Sequence, residues 1–178
     1  MELGYLFSAL VAVLLHGVGH VLAAAAVGVR FGRLCVTDTG LRLLTDRAFP
    51  SYRAEAVTSL SGPLFNLASA WLVHAVAPQR GAVFITLSLY LGLLNLAPMR
   101  GFDGARVLCC FLCARHKHLP SCLPHTAERV IDALSACLLL LLWLVAVYLL
   151  LRRGSALSLY AFCLQMFRTV TAERRAYG

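Results

Sequence analysis

Two stretches of this sequence are too long and too apolar to suit a water-soluble domain. A helix needs about 20 apolar residues to cross a bilayer core of ~30 Å. Leu3–Val27 and Val130–Leu151 both meet that length, and the second is nearly pure leucine in its middle (LLLLLWLVAVYLLL). Further apolar runs occupy roughly Ala54–Ala77, Ala82–Ala97 and Ala156–Val170. Ala82–Ala97 is short. Ala156–Val170 contains Gln165 and Arg168, so it reads as a tilted, re-entrant or interfacial helix. The chain of 178 residues is 60% hydrophobic and only 13% charged, against about 25% charged in a typical soluble domain. Lipid is the solvent that such a composition suits. These runs predict an all-α polytopic membrane protein with about five transmembrane or re-entrant helices. Between the first two runs, Arg30–Leu44 alternates apolar and polar residues around Thr39–Gly40, which predicts a small β-hairpin. No internal repeat or low-complexity linker divides the chain. We therefore expect one membrane-embedded domain over residues 1–178, with C-terminal anchor helices over residues 127–172.

The net charge of +8 would suit a nucleic acid if the basic residues shared one polar element. They do not: they punctuate the apolar runs, so no nucleic-acid partner is expected. Of the 16 Lys and Arg residues, all but Arg80, Arg152 and Arg153 fall in the segments that one side of a membrane would receive. Cytoplasmic segments of membrane proteins carry such an excess, so the N-terminus is expected outside and the C-terminus in the cytoplasm. A bacterial cytoplasmic membrane is the expected location. Met1–Glu2 lacks a basic start and the first run holds two histidines, so it reads as a retained span rather than a signal peptide. The seven cysteines are odd in number, and Cys137 and Cys163 lie inside apolar runs. Reduced thiols are expected, not a disulfide framework.

His16 and His20 stand i, i+4 in the first span, a spacing that puts both imidazoles on one helix face. Such a pair grips a zinc ion well, although two histidines packed between helices would look the same in sequence. Polar groups inside a span are costly and mostly functional. A third ligand is available in Asp103, within Asn95-Leu-Ala-Pro-Met-Arg-Gly-Phe-Asp103-Gly104. Pro98 ends the third helix early, and Gly101 and Gly104 permit an irregular turn. Asp-Gly alone is usually a surface turn. Here the third span is too short to reach the cytosolic interface, so Asp103 is expected in a loop at the depth of the histidines. Non-helical backbone at that depth is tolerated only around a protein-lined or watery cavity. The second span adds Ser61-Gly-Pro-Leu-Phe-Asn66. Gly62 and Pro63 would disturb the helix locally and let a neighbour approach closely. Asn66 reaches the level of His16, where an interhelical hydrogen bond and a site role are equally open.

In this order, His16-Gly17-Val18-Gly19-His20, Gly62-Pro63-Leu64-Phe65-Asn66 and Asn95-Leu96-Ala97-Pro98 with Asp103-Gly104 resemble the site-2 protease family of intramembrane zinc metalloproteases. The family pattern is His-Glu-x-x-His, a Gly-Pro-x-x-Asn-like segment, and Asn-x-x-Pro-x-x-x-x-Asp-Gly. The resemblance covers roughly residues 5–115. The compact size looks most like the bacterial sporulation-type branch, without a following regulatory domain. It implies Zn2+ held by His16, His20 and Asp103, with water as fourth ligand. It implies that Asn66 and Asn95 orient substrate or polarise a carbonyl. It also implies that the hairpin adds a strand to an unwound substrate. The implied partners are a membrane-anchored protein substrate and the lipid bilayer, and the implied activity is metalloendopeptidase cleavage near the bilayer face.

Gly17 departs from the pattern. The family has glutamate there, to take a proton from zinc-bound water and pass it to the leaving amine. Such general acid–base help is typically worth about 10²–10⁴-fold. Binding without efficient cleavage is therefore expected, and a non-catalytic pseudoprotease that binds membrane clients is the alternative. A natural glycine, an inactivating substitution and a sequence error all fit. Glu55 is expected near the interface, away from the metal. Cys109, Cys110, Cys113, His116, His118, Cys122 and His125 cluster in one segment. Their spacing matches no firm zinc pattern, so they read as reduced thiols and histidines on a membrane-proximal helix.

Overall fold

The computed structural model describes residues 2–37, 40–45, 48–114, 125–153, 160–168 and 170. Helix α1 (Glu2–Ala26) is followed by strands β1 (Phe31–Thr37) and β2 (Gly40–Thr45), then α2 (Tyr52–Val76), α3 (Ala82–Asn95), α4 (Asp103–Cys113) and α5 (His125–Arg153). Residues 160–168 form a further helix, α6. Most residues expected at the outset to be helical are helical. The strands pair antiparallel, with Thr37 opposite Gly40 and Leu34 opposite Leu43. The turn residues 38–39 lie outside the described residues, as do 154–159 at the start of the last apolar run.

Three helical segments are long and apolar enough to cross a membrane: Leu3–Ala26, Tyr52–Val76 and Ala127–Leu149. The chain is an integral membrane protein by this measure. Their apolar side chains point outward rather than into a dry core. Leu3, Leu6, Phe7, Leu10 and Leu14 of α1 and Leu140, Leu141, Trp143 and Leu144 of α5 are all exposed. Helices in lipid gain little from burying leucine against leucine, so small residues that allow close packing take the interfaces. That is the pattern inside this bundle. The buried positions are Ala12, Gly19 and Ala24 on α1, Ala54, Ser59, Gly62, Asn66 and Ala70 on α2, and Ser88 and Gly92 on α3. On α2 and α3 they recur every three to five residues, and on α1 at intervals of seven and five, one stripe per helix. Helices α1, α2 and α3 pack mutually, α4 packs on α2, and α5 touches α4.

Local chemistry sets the element ends. Ser51 caps α2, its hydroxyl accepting from the Ala54 amide at 3.1 Å. Helix α2 runs unbroken through Pro63, so Gly62 and Pro63 bring neighbours close without interrupting it. Helix α3 has 14 residues, roughly 21 Å, too short for a bilayer core. It stops before Pro98, and the chain turns through Gly101 at φ 93. The sequence suggested a loop position for Asp103. Instead it is the first residue of α4, after the extended Phe102. A carboxylate is favoured in the first turn of a helix by the unpaired amides there, which accounts for Asp103 opening the helix rather than ending the loop.

Candidate metal centre

Two helices bring His16, His20 and Asp103 together. His16 and His20 stand one turn apart on α1, and Asp103 opens α4. His16 Nε2 and His20 Nε2 each lie 3.2 Å from Asp103 Oδ2, and 3.1 Å from each other. The three side chains are only 13% to 17% exposed.

Close approach of the backbones makes this possible. At Gly62 a β-carbon would overlap the His20 imidazole, so α2 passes under the ring only because residue 62 has no side chain. At Gly104 a β-carbon would run into the carbonyls of Leu96 and Ala97. The loop after α3 therefore lies directly over the first turn of α4 and fixes where Asp103 starts.

The loop is itself held. The Arg100 backbone amide donates to Ser135 Oγ at 2.9 Å, and the Arg100 guanidinium pairs with Asp132. Both partners are on α5. Ser135 is fully buried, and its own hydroxyl donates to the Ile131 carbonyl at 2.7 Å.

His20 Nδ1 donates to the Thr58 carbonyl at 2.7 Å, and Ser61 Oγ donates to the same oxygen at 2.6 Å. A neutral imidazole carries one proton. With it on Nδ1, Nε2 presents a lone pair to the carboxylate oxygen of Asp103, which also only accepts. Hydrogen bonds alone cannot satisfy the triangle. If both Nε2 atoms are protonated, they oppose each other as donors at 3.1 Å. If either is not, it faces Asp103 acceptor to acceptor. A cation among the three atoms resolves every contact.

The dimensions fit zinc. Ligand distances of about 2.0–2.1 Å in a tetrahedron imply about 3.3 Å between ligand atoms. The observed edges of 3.1, 3.2 and 3.2 Å make a nearly equilateral face of that size. Two imidazoles and a carboxylate are also a zinc donor set that leaves one position open.

The fold is that of a site-2 protease. A solved structure, the site-2 protease from Methanocaldococcus jannaschii, superposes with a TM-score of 0.66 at 22% sequence identity, over 94% of this chain and 76% of that one. No protein-family model matches the chain, and no curated protein matches it significantly.

On that fold, the expected site residues separate into groups. His16, His20 and Asp103 meet, and they are the only group of three or more potential metal ligands among the described residues. Asn66 is fully buried, with its Nδ2 3.5 Å from His16 Nδ1. Asn95 stays outside the triangle, its Nδ2 donating to the Leu91 carbonyl of its own helix at 2.9 Å. Gly17 is half-buried, and a β-carbon there would meet nothing within 4 Å.

Glu55 accepts a hydrogen bond from the Cys110 thiol, so it is engaged on α4. Of the cysteine and histidine cluster, His116, His118, Cys122 and the side chain of His125 lie outside the described residues. Cys109, Cys110 and Cys113 are free thiols. Burial and the neighbouring Cys113 push Cys109 up to about 12, and burial and Glu55 push Cys110 higher still. A metal-binding cysteine needs its thiolate, so Cys109 and Cys110 behave as small apolar packing groups.

Sequence reasoning missed Thr58, Ser61, Asp132 and Ser135. Thr58 acts through a backbone carbonyl, which leaves no trace in residue type. A polar pair in the otherwise leucine-rich fifth helix was the available signal for Asp132 and Ser135.

A cleft of about 610 Å³ opens among α1, α2 and α3. It is lined by apolar groups including Phe7, Val11, Leu15, Phe65 and Phe84. Leu15 and Phe65 precede His16 and Asn66 in sequence.

Proposed function

We propose that this chain is a zinc-binding intramembrane protein of the site-2 protease type, which engages membrane-anchored polypeptides and cleaves them with impaired efficiency because Gly17 stands where the general base belongs. The observation that carries the reading is the equilateral triangle of His16 Nε2, His20 Nε2 and Asp103 Oδ2, on the fold of a known site-2 protease. His16, His20 and Asp103 would hold the ion. When bound in such a site, zinc supplies Lewis acidity and makes water a nucleophile near neutral pH.

The protein's own residues bind and orient. Thr58 fixes the His20 tautomer, α5 anchors the loop that carries Asp103, and the apolar cleft suits a lipid-embedded segment. What position 17 lacks is the glutamate that the family pattern places there to accept and return a proton. The local structure leaves room for one: position 17 lies one residue from a ligand, with open space around it. The same absence favours a second reading, a client-binding pseudoprotease. The excess of Lys and Arg on one side supports an N-terminus outside and a cytoplasmic C-terminus.

Two measurements test the proposal. Purified chain should carry about one zinc per molecule, lost on His16→Ala. Gly17→Glu should raise cleavage of a membrane-anchored substrate by about 10²–10⁴-fold. Zinc binding with no gain from Gly17→Glu favours the client-binding reading. Absence of zinc from the unaltered protein refutes both.

A further inference from the structure

Asn66 is fully buried, and its Oδ1 has no hydrogen-bond partner among the described residues. Its other terminus, Nδ2, lies 3.5 Å from His16 Nδ1, at the long limit for a hydrogen bond. This pairing is incompatible with a metal-bound His16. With the Nε2 lone pair on the ion, the single proton of a neutral imidazole must sit on Nδ1. An N–H would then face the amide NH2, donor against donor. Half a turn about the Cβ–Cγ bond exchanges the amide oxygen and nitrogen with almost no change of shape. That turn relieves the clash, makes Oδ1 an acceptor and leaves the nitrogen in the unpartnered position.

We infer that Asn66 is a positioning residue whose carbonyl oxygen accepts the Nδ1–H of His16, fixing the ring that presents Nε2 to the ion. It is the counterpart on α2 of the Thr58 carbonyl, which does the same for His20 at 2.7 Å. One helix thus orients both imidazoles of the other, one through a main-chain oxygen and one through a side chain. The assignment differs from a role for Asn66 as a donor to substrate. It rests on the proposal that the triangle holds zinc.

The two roles predict opposite results. The full chain in detergent is titrated with zinc alone against a chromophoric chelator, and Asn66→Leu and Asn66→Asp are compared with the unaltered protein. Leucine removes the acceptor and keeps the branching at Cγ. Aspartate keeps the acceptor and removes the NH2. Loss of an outer partner of a metal-bound histidine typically costs about 10–100-fold in affinity, so Asn66→Leu should lose that much. Asn66→Asp should bind zinc at least as tightly as the unaltered chain. Unchanged affinity in Asn66→Leu, or equal losses in both variants, overturns the assignment.

Because either substitution is buried, the unaltered zinc-loaded chain gives an independent reading. The 15N spectrum of its histidines should show His16 protonated on Nδ1 and ligated through Nε2. Ligation through Nδ1 overturns the inference. Failure of the unaltered chain to bind any zinc removes the metal reading itself, and is distinct from normal binding that Asn66→Leu leaves untouched.

Discussion

Gly62 lies against the imidazole of His20 so closely that a β-carbon there would overlap the ring. The contact joins the α1–α2 crossing to the geometry of a candidate ligand, so the two cannot be altered separately. Gly62→Ala should move His20 or part the helices. Added bulk in a packed interface costs typically about 1–3 kcal/mol. We expect a fall in thermal stability together with weaker zinc binding, measured by melting and chelator competition on one sample. A variant that lost stability but kept its zinc affinity would show that α2 does not set the position of the ring.

Position 17 should behave in the opposite way, because its surroundings are open. A glycine inside a helix costs about 1 kcal/mol relative to alanine. Gly17→Ala should therefore stabilise the protein by up to about that amount, with zinc affinity and cleavage unchanged. It is the proper control for Gly17→Glu: a gain in cleavage seen with glutamate alone identifies a proton-transfer role, whereas the same gain with alanine would identify a helix effect. Destabilisation by alanine would contradict the open space.

The same contrast shows what could be read from the sequence and why. The spans were legible because a helix in lipid displays its apolar length in composition. His16 and His20 were legible because one turn of helix separates them, whatever packs nearby. Asp103 was legible as a candidate partner of the two histidines but not as the start of α4, since Gly101 and Gly104 on either side suggested a loop. Asn66 and Asn95 looked alike in sequence, as asparagines within apolar helices. Their fates differ because α2 turns Asn66 inward beside His16, while Asn95 bonds to Leu91 on its own helix. Helix rotation about its axis is a tertiary quantity, and with small residues on several faces the pattern did not fix it.

The clamp from α5 gives a third prediction. Ser135 Oγ accepts the Arg100 amide three residues before Asp103, and Asp132 holds the Arg100 side chain. Ser135→Ala leaves a buried amide without its acceptor, at a typical cost of about 1–3 kcal/mol. Because the loop sets where α4 begins, part of that cost should appear as weaker zinc binding. Asp132→Asn, which keeps an acceptor for Arg100, should do less harm. If both variants bind zinc as the unaltered chain does, α5 is only an anchor for the fold.

The α4 thiols predict a response at alkaline pH. Burial and Cys113 push Cys109 from its ordinary 9.0 up to about 12. In the unfolded chain the thiol ionises near 9, while the folded protein keeps the proton until about 12. Above pH 9 the folded state therefore binds more protons, and stability falls as pH rises through this window. Below it the contribution is fully present and flat. Many groups titrate at such pH, so the informative quantity is a difference: Cys109→Ala should lose stability less steeply than the unaltered chain between pH 9 and 12. At neutral pH the thiols should resist maleimide in the folded protein and react after denaturation, as protonated thiols are poor nucleophiles. Rapid labelling of Cys109 at neutral pH without unfolding would mean that an accessible thiolate exists there, and would reopen the case for a second metal site.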